Sequence, residues 1–585
     1  MHMSRRTLTR RPTLKTSLQH QLLRTRRRRD RRRGRLKPRV KDGMPRPLWP
    51  EPRTMVESRA GAAKTPPSPP SPMIIALTRL GFGPSPQAMA DFQALGATDA
   101  QRYQAYINQQ LAPSTIDDSA AVTRLAACGF QTLGKTVPQL WADHFLAEEW
   151  DDIMQPLWES VGATWVRAIH SKRQLFELMV DFWHNHFNVF ADDVPFGPVW
   201  VHTDRDAIRA HALGNFRQMV EAVTRTPAML FYLDNVFNSQ EDANENFARE
   251  LLELHVMGAD SYLGSVDPAT VPTDGNGVPV GYTEADVIEV ARCLTGWTVN
   301  SQWAHWEFGE TGEFFFHEDW HDTGAKRVIG LDLPAGRTAA QDGQAMLDWV
   351  CAHPATARFV ATKICRRVMA DNPPQAVIDA AAATFLAQVD APDQIAQVLR
   401  TILEHPSFLQ TWGDKVKRPF EIAVSMFRGA TFDLPFSLGD EFSGWFLWEY
   451  YQTGQPLFSW HPPNGYPDSK FAWNTTSPRV MTWRLANLLV TMWSEDAESG
   501  FIFDLAGRTP TGVRSANQIV DHWSLEILGR PLPPGERGPL VSFMAQDAHP
   551  DTPLEIGNYD AHWETHERLH ALVALILMCP SFLWK

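Results

Sequence analysis

Apolar residues recur every three or four positions over most of the chain, which is the spacing of one face of an α-helix. The pattern is sharpest just before and within the motif W-H-N-H-F, where Phe176, Val180, Trp183 and Phe187 predict an amphipathic helix. The same kind of pattern covers three longer stretches: 85–170, 341–430 and 480–585. The sequence therefore predicts a mainly α fold, built as one large multi-helix domain.

Three stretches break this pattern with proline, glycine and aromatic residues. They lie near 264–281, 301–336 and 452–479. Such stretches are too irregular for long elements, so we expect loop insertions with at most minor β-hairpins. After the first, Thr283 and Asp286 have the spacing of a capping box at a new helix start. In the third, Trp460, Tyr466 and Trp473 are expected either to cap a groove or to pack over the core.

Charge is distributed unevenly along the chain. Residues 1–72 carry 21 Lys and Arg against 4 Asp and Glu, a net charge of +17, while the whole chain carries −12. Residues 73–585 therefore carry −29. An acidic body argues against broad binding to a nucleic-acid backbone, because such binding needs clustered cations. Only the basic arm remains a candidate for nucleic-acid binding.

The arm formed by residues 1–72 is rich in arginine and proline, and nothing in it can build a core. One interpretation is a basic segment that binds nucleic acid or an anionic surface. The other is a disordered tail, or residues that precede a true start at Met55 or Met73. The second is favoured, because such tracts do not offset their ordering entropy by burial. The folded domain is expected to span 73–585.

No stretch has the pattern of a membrane span or a disulfide framework. The apolar runs fall short of the roughly 18 residues that a transmembrane helix needs. The five cysteines are odd in number and lack C-x-x-C spacing, so neither a disulfide framework nor a zinc knuckle is predicted. No apolar signal-peptide core follows the basic run, so the sequence predicts no compartment.

His184 and His186 are the first candidates for chemistry, and they lie at the end of the predicted amphipathic helix. Because they are two residues apart, they point about 200° from each other on a regular helix. A pair that chelates one metal ion needs i, i+3 or i, i+4 spacing. Two interpretations follow: one functional and one structural histidine, or two histidines that only make local hydrogen bonds.

A second candidate is the helix predicted over residues 244–258, N-E-N-F-A-R-E-L-L-E-L-H-V-M-G. At about 100° per residue, Asn246, Arg249, Glu250 and Glu253 share one face, whereas the histidine of this motif points away from it. The final glycine is a natural C-terminal stop. Two carboxylates three residues apart are held rigidly and split each other's pKa values, as an acid/base pair or a metal site requires.

The same face has two further interpretations. It can be solvated, with Glu245 paired to Arg249 at i, i+4 in the favourable order. Apolar residues, however, occupy most other directions around the axis of this helix. The helix is therefore predicted to be buried, and its carboxylates are predicted to need partners. A buried polar network is therefore the favoured interpretation, and catalysis is an addition to it.

A third set of polar residues falls in an irregular stretch, where binding groups often lie. It consists of His317, His321, Asp322 and Lys326. One hypothesis joins these side chains to the carboxylates of the 244–258 helix around a divalent metal ion. The other, which is favoured, is a surface β-turn with ordinary histidines.

Six motifs occur in a fixed order along the chain: F-W-H-N-H-F (182–187), N-E-N-F-A-R-E-L-L-E-L-H-V-M-G (244–258), Y-T-E-A-D-V-I-E-V-A-R-C-L-T-G-W-T (282–298), H-D-T-G-A-K-R-V-I-G (321–330), H-P-A-T-A-R-F-V-A-T-K (353–363) and P-P-N-G-Y-P (462–467). From about Ile74 to Lys585 the chain resembles the bacterial family known as domain of unknown function 1800. The resemblance implies a mainly helical protein of no established biochemical activity, and it supplies no catalytic residues.

The resemblance also implies a compartment and a partner. Members of the family are often exported to the periplasm or the cell surface. They are often encoded beside a second exported family that resembles alkaline phosphatases and sulfatases, which makes such a protein the implied partner.

Two hypotheses about function follow from these residues. The first, ranked slightly ahead, is a hydrolase-type enzyme that works by general acid/base or metal-assisted catalysis. Its candidate catalytic residues are Glu250, Glu253, His184, His186 and Arg249. Its candidate ligands for a divalent metal, the one cofactor considered, are His186, Glu250, Glu253, His321 and Asp322. The second is a non-catalytic envelope or assembly protein, in which the same residues form a buried network that fixes helix packing.

Overall fold

Helices account for most of the computed structural model, which describes residues 69–491, 504–556 and 559–585. Up to residue 300 the α-helices are α1 (Pro72–Arg79), α2 (Pro86–Gln93), α3 (Asp99–Gln110), α4 (Ser119–Ala127), α5 (Val137–Leu140), α6 (Trp150–His170), α7 (Gln174–His186), α8 (Trp200–His202), α9 (Phe216–Thr224), α10 (Pro227–Tyr232), α11 (Asn246–Glu250) and α12 (Glu284–Cys293).

From residue 330 onward the α-helices are α13 (Ala339–Cys351), α14 (Pro354–Val368), α15 (Gln375–Ala387), α16 (Gln394–Leu403), α17 (Pro419–Ala430), α18 (Glu441–Tyr451), α19 (Lys470–Trp473), α20 (Thr476–Thr491), α21 (Leu505–Arg508), α22 (Ala516–Leu528), α23 (Pro534–Ala545), α24 (Tyr559–Met578) and α25 (Pro580–Leu583). Short turns of 3-10 helix lie at Pro113–Thr115, Gly197–Val199, Asn235–Phe237, Ala259–Ser261, Pro268–Thr270, Glu318–Trp320 and Phe408–Thr411.

Short strands form two antiparallel hairpins between α12 and α13. β1 (Trp297–Val299) pairs with β2 (Phe314–Phe316), and β3 (Lys326–Val328) pairs with β4 (Leu331–Leu333). The described residues contain no longer strand. The prediction of a mainly α fold with minor β-hairpins is therefore confirmed.

Among the described residues, three segments are wound as π-helix: Trp141–Phe145, Thr203–Arg209 and Leu251–Val256. In a π-turn the hydrogen bond spans five residues instead of four, so each residue advances less around the helix axis. Leu146 N, for example, donates to Trp141 O at 3.0 Å. Side chains in such a turn therefore point in directions that an α-helical count does not predict.

Local sequence signals set several helix boundaries. Thr283 caps α12 by accepting from Asp286 N, and Asp286 Oδ2 accepts from Thr283 N at 2.8 Å, so the predicted capping box is confirmed. Gly258 follows the third π-helical segment with a φ of 85°, a conformation that favours glycine. The predicted amphipathic helix is α7, which begins at Gln174 and ends at His186.

α7 lies within the core, where its side chains Leu175, Leu178, Met179 and Trp183 are fully buried. It packs against α3, α6 and the π-helical segment Thr203–Arg209. Further along the chain, α15 packs between α14 and α16, while α17 contacts α6, α20 and α22. The motif at the end of α7 is thus carried by a helix that is held on several sides.

Every helix named above belongs to one compact unit, Pro66–Lys585. The basic arm predicted over residues 1–72 lies outside the described residues except for its last four. None of the described helices combines the length and the apolar character that crossing a membrane requires.

Charged side chains lie deep within this helical core. All 12 residues of α17 are buried, among them Glu421, whose Oε2 lies 3.0 Å from Arg367 Nη1 and whose Oε1 accepts from Lys585 Nζ. Arg418 donates its main-chain N–H to Glu421 Oε2 at 2.9 Å and its guanidinium to Asp181 on α7. Arg367 Nη2 also donates to Asp181 Oδ2, at 2.9 Å. We call these five residues the buried ion network.

The buried ion network keeps its central carboxylate ionised. Burial alone would raise the pKa of Glu421, but the charges of Arg367, Lys585 and Arg418 hold that pKa well below its usual value. The network joins α7, α14, α17 and the last residue of the chain. Removing one member of such a network leaves a buried charge without its partner, which is strongly destabilising.

We expect the substitution Glu421→Gln to lower the free energy of unfolding by about 3–5 kcal/mol, because it leaves buried cations opposite a neutral amide. Urea unfolding followed by circular dichroism measures this loss. The control is Glu555→Gln at an exposed position, which should change the free energy by less than about 0.5 kcal/mol. A loss below about 1 kcal/mol for Glu421→Gln would contradict a central role for the network.

Candidate functional site

Four polar side chains project from the end of α7 and the residues just after it: His184, Asn185, His186 and Asn188. His184 Nε2 donates to Asp204 Oδ1 at 2.8 Å, and the side chains of both residues are 6% exposed. The acceptor lies in the π-helical segment that packs against α7. The first histidine of the motif therefore belongs to a buried histidine–carboxylate pair.

The carboxylate of this pair is stabilised in its ionised form. Burial would raise the pKa of Asp204, but the hydrogen bond from His184 and the charges of Arg209 and Arg167 lower it to about 2. The His184 ring also lies against aromatic side chains, with centroid distances of 5.4 Å to Trp200 and 4.8 Å to Phe458. An imidazole enclosed in this way is fixed in position by its neighbours.

Asn185 and Asn188 bind the long loop at 452–479. Asn185 Nδ2 donates to Tyr466 O at 2.9 Å, and its Oδ1 accepts from Tyr466 N at 2.7 Å. Asn188 Nδ2 donates to the main-chain oxygens of Trp460 at 2.9 Å and Pro462 at 2.8 Å. These paired bonds fix the loop against the end of α7.

The loop comes so close to α7 that one position admits no side chain. Gly465 has a φ of 71°, and a Cβ added there would lie 2.1 Å from Asn185 O. Tyr466 and Trp473 are buried. Of the two predictions for this loop, packing over the core is therefore the one that Tyr466 and Trp473 follow, whereas Trp460 is half-buried.

His186 points to a different neighbour, the π-helical segment Leu251–Val256. Its Nε2 donates to His255 O at 2.9 Å, and the two rings lie 6.2 Å apart between centroids. His186 Nδ1 and His255 Nε2 are buried and have no hydrogen-bond partner in the part of the chain that the structure describes. Burial, and the charge of Lys363, lower the pKa of His255 to about 3 and that of His186 well below its usual value. Both imidazoles are therefore neutral at pH 7.

The helix predicted over 244–258 is α-helical only as far as Glu250. Beyond it the backbone is wound as π-helix, and Met257 N donates to Leu252 O at 3.0 Å, five residues back. The angular count assumed an α-helix throughout, and this assumption is wrong for the second half of the segment. Its result for His255 holds, because His255 is buried while Glu250 and Glu253 are half-buried. The main-chain oxygen of His255 meets His186.

The predicted carboxylate face lies at the surface. Asn246 is exposed, while Arg249, Glu250 and Glu253 are half-buried. The prediction of a buried polar network on this helix is therefore wrong, because the short α11 buries only one side, with Phe247 and its neighbour inside. Burial and the adjacent charge of Glu253 raise the pKa of Glu250 above its usual value, which fits the expected splitting within a carboxylate pair.

Arg249 forms a two-bond ion pair with Glu284 at the start of α12. Its Nη2 lies 2.6 Å from Oε1 and its Nη1 lies 3.0 Å from Oε2. The hydroxyl of Tyr262 donates to the same carboxylate at 2.8 Å. The guanidinium thus pairs with Glu284 instead of Glu245, the partner proposed for a solvated face.

His321 and Lys326 share one carboxylate, Asp342 on α13. Lys326 Nζ donates to Asp342 Oδ2 at 2.6 Å, His321 Nε2 lies 3.2 Å from the same atom, and Arg337 Nε donates to Oδ1 at 2.5 Å. The side chains of Lys326, Asp342 and His321 are at most 1% exposed. Because His321 is buried, the favoured prediction of a surface turn with ordinary histidines is wrong for this residue. Asp342 compensates the charge of the buried Lys326.

Asp322 belongs to another ion pair. Its Oδ2 accepts from Arg292 Nε at 2.7 Å, and the hydrogen bonds from this guanidinium lower the pKa of Asp322. His317, in contrast, lies among aromatic rings, 5.2 Å from Phe308 and 5.0 Å from Trp320 between centroids. In the third set, His321 and Lys326 thus share Asp342, and Lys326 also donates to the main-chain oxygen of Asp322, while the side chains of Asp322 and His317 have other neighbours.

The candidate metal ligands His186, His321 and Asp322 each contact a protein group of their own, namely His255 O, Asp342 and Arg292. Across 69–491, 504–556 and 559–585, no three His, Cys, Asp or Glu side chains are arranged to hold a metal ion. The site proposed from the sequence, including its carboxylates, remains a prediction.

Sequence reasoning missed the partners of the motif histidines. Asp342 carried a usable signal: it lies three residues after Ala339 and four before Met346, so it occupies the apolar face of α13, where a carboxylate needs a cation. Asp204 and His255 carried none, because both lie in π-helical turns that an α-helical count does not reveal.

Comparison with known proteins adds the family. Residues 75–584 match the family described as protein of unknown function (DUF1800). The chain belongs to this family. The match confirms the resemblance found in the six motifs. No curated protein and no solved structure matches the chain.

In this DUF1800 protein the motifs contact one another. The first, 182–187, bonds to the last through Asn185 and to 244–258 through His186. The ion pair of Arg249 joins 244–258 to 282–298, and that of Arg292 joins 282–298 to 321–330. The remaining motif touches this system where Phe359 lies against the Cβ position of Gly258. The six motifs therefore form one connected set of contacts.

The two neutral histidines make stability depend on pH. As the pH falls below about 6.5, the unfolded chain binds protons at His186 and His255 that the folded chain does not bind, so stability is lost with decreasing pH. Each histidine contributes up to about 1.4 kcal/mol per pH unit. We expect His255→Phe to fold at pH 7 and to lose less stability between pH 7 and pH 5 than the natural chain. Urea unfolding at several pH values measures both slopes.

The control for this experiment is His549→Phe, because the His549 side chain is 77% exposed. It should keep the slope of the natural chain. Equal slopes for the natural chain and for His255→Phe would show that His255 is not held neutral.

Proposed function

We propose that this DUF1800 protein is a non-catalytic helical scaffold, in which the motif side chains form a polar network that fixes helix and loop packing. The observation that supports it is the end of α7, where His184, Asn185, His186 and Asn188 each bond to a different protein group. Side chains that serve one reaction converge on a common point, whereas the two histidines bond to different π-helical segments and the two asparagines bond to a loop.

The energetics of burial support the same proposal. A polar group in the protein interior costs free energy unless it is hydrogen-bonded, and a fully bonded network makes one packing arrangement unique. Asn185 and Asn188 bond to backbone groups of a loop that has no regular structure of its own over 452–469. Without these amides the loop carbonyls would lose their donors.

A second candidate function rests on Glu250 and Glu253. Burial raises the pKa of Glu250, as a general acid requires, and this pair lies at the surface of the π-helical turn. The charge of Glu250 also raises the pKa of the nearby Tyr232, after the larger effect of burial, to about 12. A hydrolase-type enzyme would use this carboxylate pair, and His184 or His186 would then serve only to position the surrounding backbone.

The proposed scaffold has a protein partner. The exported relative of alkaline phosphatases and sulfatases, implied by the family resemblance, is the partner that we propose. Aromatic residues are enriched at protein–protein interfaces. Trp306 and Phe471 are each 75% exposed and are therefore available for such a contact.

The two functions separate when the carboxylates and the amides are changed independently. We expect Glu250→Gln/Glu253→Gln to fold normally and to keep the phenotype of the intact gene and co-purification of the proposed partner. We expect Asn188→Ala to lower the free energy of unfolding by about 1–3 kcal/mol, because two loop carbonyls lose their donor. Thermal unfolding, complementation of a deletion strain and co-purification measure these effects.

Asn487→Ala is the matched control for Asn188→Ala, because the half-buried Asn487 amide donates to a carbonyl of its own helix and, at 3.8 Å, to the Met578 sulfur, but to no loop carbonyl. It should leave stability and phenotype unchanged. If the doubly substituted protein melted like the natural chain but lost the phenotype, the carboxylate pair would be catalytic and the scaffold proposal would fail. If that protein kept the phenotype but lost the co-purifying protein, the proposed partner would be wrong.

A further inference from the structure

A cleft of about 770 Å³ lies apart from the six motifs. Its walls come from α2, α3, the end of α6 and the end of α17. Apolar side chains form part of the lining, among them Leu77, Leu95 and Ile116. A cavity of this volume, whose walls combine apolar and polar side chains, has the size of a small-molecule site.

Arg428 is a charged group in the wall of this cleft, and it is only 7% exposed. Its Nε donates to Gly83 O at 3.0 Å and its Nη1 to Ile169 O at 2.7 Å. Within the described part of the chain, these hydrogen bonds go to main-chain carbonyls and not to a carboxylate. The guanidinium is thus oriented by the fold while its charge lacks an ionic partner.

The carboxylates around the cleft are bonded elsewhere. Asp91 Oδ2 lies 2.9 Å from Lys172 Nζ, Asp433 pairs with Arg124, and Asp117 accepts from a main-chain N–H at 3.0 Å. None of these carboxylates pairs with Arg428, so within the described residues its guanidinium has no ionic partner at the wall. A buried cation without an anion is costly, and a bound anion would remove that cost.

His170 supplies a second polar group in the same wall. Its Nε2 is buried and has no hydrogen-bond partner among the described residues. Burial, and the charge of Arg124, lower the pKa of His170 to about 4, so the ring is neutral at pH 7. A neutral imidazole adjoining an arginine in one cleft can add a hydrogen bond to an anionic group.

We propose that this cleft binds a small amphiphilic anion, whose carboxylate or phosphate group meets Arg428 and His170 Nε2 while its apolar body lies along Leu77, Leu95 and Ile116. The inference does not depend on the scaffold proposal, because none of these residues belongs to the contacts of the six motifs. A charge-assisted hydrogen bond to a guanidinium accounts for the head group, and the apolar walls account for the body.

Calorimetric titration of the full chain tests this inference with three probes of one chain length: octanoate, octyl phosphate and 1-octanol. We expect one anion to bind with 1:1 stoichiometry and at least about tenfold more tightly than 1-octanol. Comparison of octanoate with octyl phosphate identifies the preferred head group. The proposal would be overturned if neither octanoate nor octyl phosphate bound, or if the anions and 1-octanol bound with equal affinity.

Arg428→Gln should weaken binding of the preferred anion at least about tenfold and leave 1-octanol unaffected. The matched control is Arg79→Gln, because Arg79 is also buried, donates to the main-chain oxygens of Phe408 and Thr411, and lies outside the cleft lining. Arg79→Gln should leave both affinities unchanged. A folded Arg428→Gln protein with the natural affinity for the anion would contradict the proposal.

A second variant keeps the test decisive if Arg428→Gln does not fold. Ala94→Trp fills the exposed edge of the cleft without removing a side-chain hydrogen bond. It should abolish binding of both the anion and 1-octanol. Unchanged binding by this variant would place the ligand elsewhere and overturn the assignment.

Discussion

The fold depends on buried charges that must be neutralised together. Asp181, Arg367, Arg418, Glu421 and Lys585 come from parts of the chain that are far apart in sequence, and none of them is stable in the interior without the others. Because Asp181 belongs to α7, the network fixes this helix against α14 and α17. The end of α7, with its polar motif, is therefore presented in one position.

From that position the polar side chains of the motif bond to several neighbouring segments of the chain. Two of the three π-helical segments supply the partners of its histidines, Asp204 for His184 and the carbonyl of His255 for His186. The wider turn alters the direction of the residues within it, and such turns occur often at functional sites. Here it allows histidines on opposite sides of one helix to meet separate acceptors. The asparagines between and after them bind the loop.

Sequence reasoning predicted what local interactions decide. The apolar spacing predicted α7, the capping box predicted the start of α12, and the two-residue spacing predicted that His184 and His186 diverge. It failed where distant contacts decide. Periodicity predicts α-helix over Leu251–Val256, where the chain adopts a π-helix. The place of Asp342 on the apolar face of α13 indicates a buried cation, but no local pattern reveals that this cation is Lys326. The carboxylate face was wrongly predicted to be buried, because the short α11 buries only one side.

A double-mutant cycle on His184 and Asp204 tests most directly whether the motif is structural. The account predicts that His184→Gln and Asp204→Asn each destabilise the protein, and that the double variant, with a neutral amide pair, recovers about 1–3 kcal/mol through coupling. It also predicts that the phenotype of the intact gene recovers with stability. Recovery of stability without recovery of the phenotype would contradict the account, because the pair would then act in chemistry and not in packing.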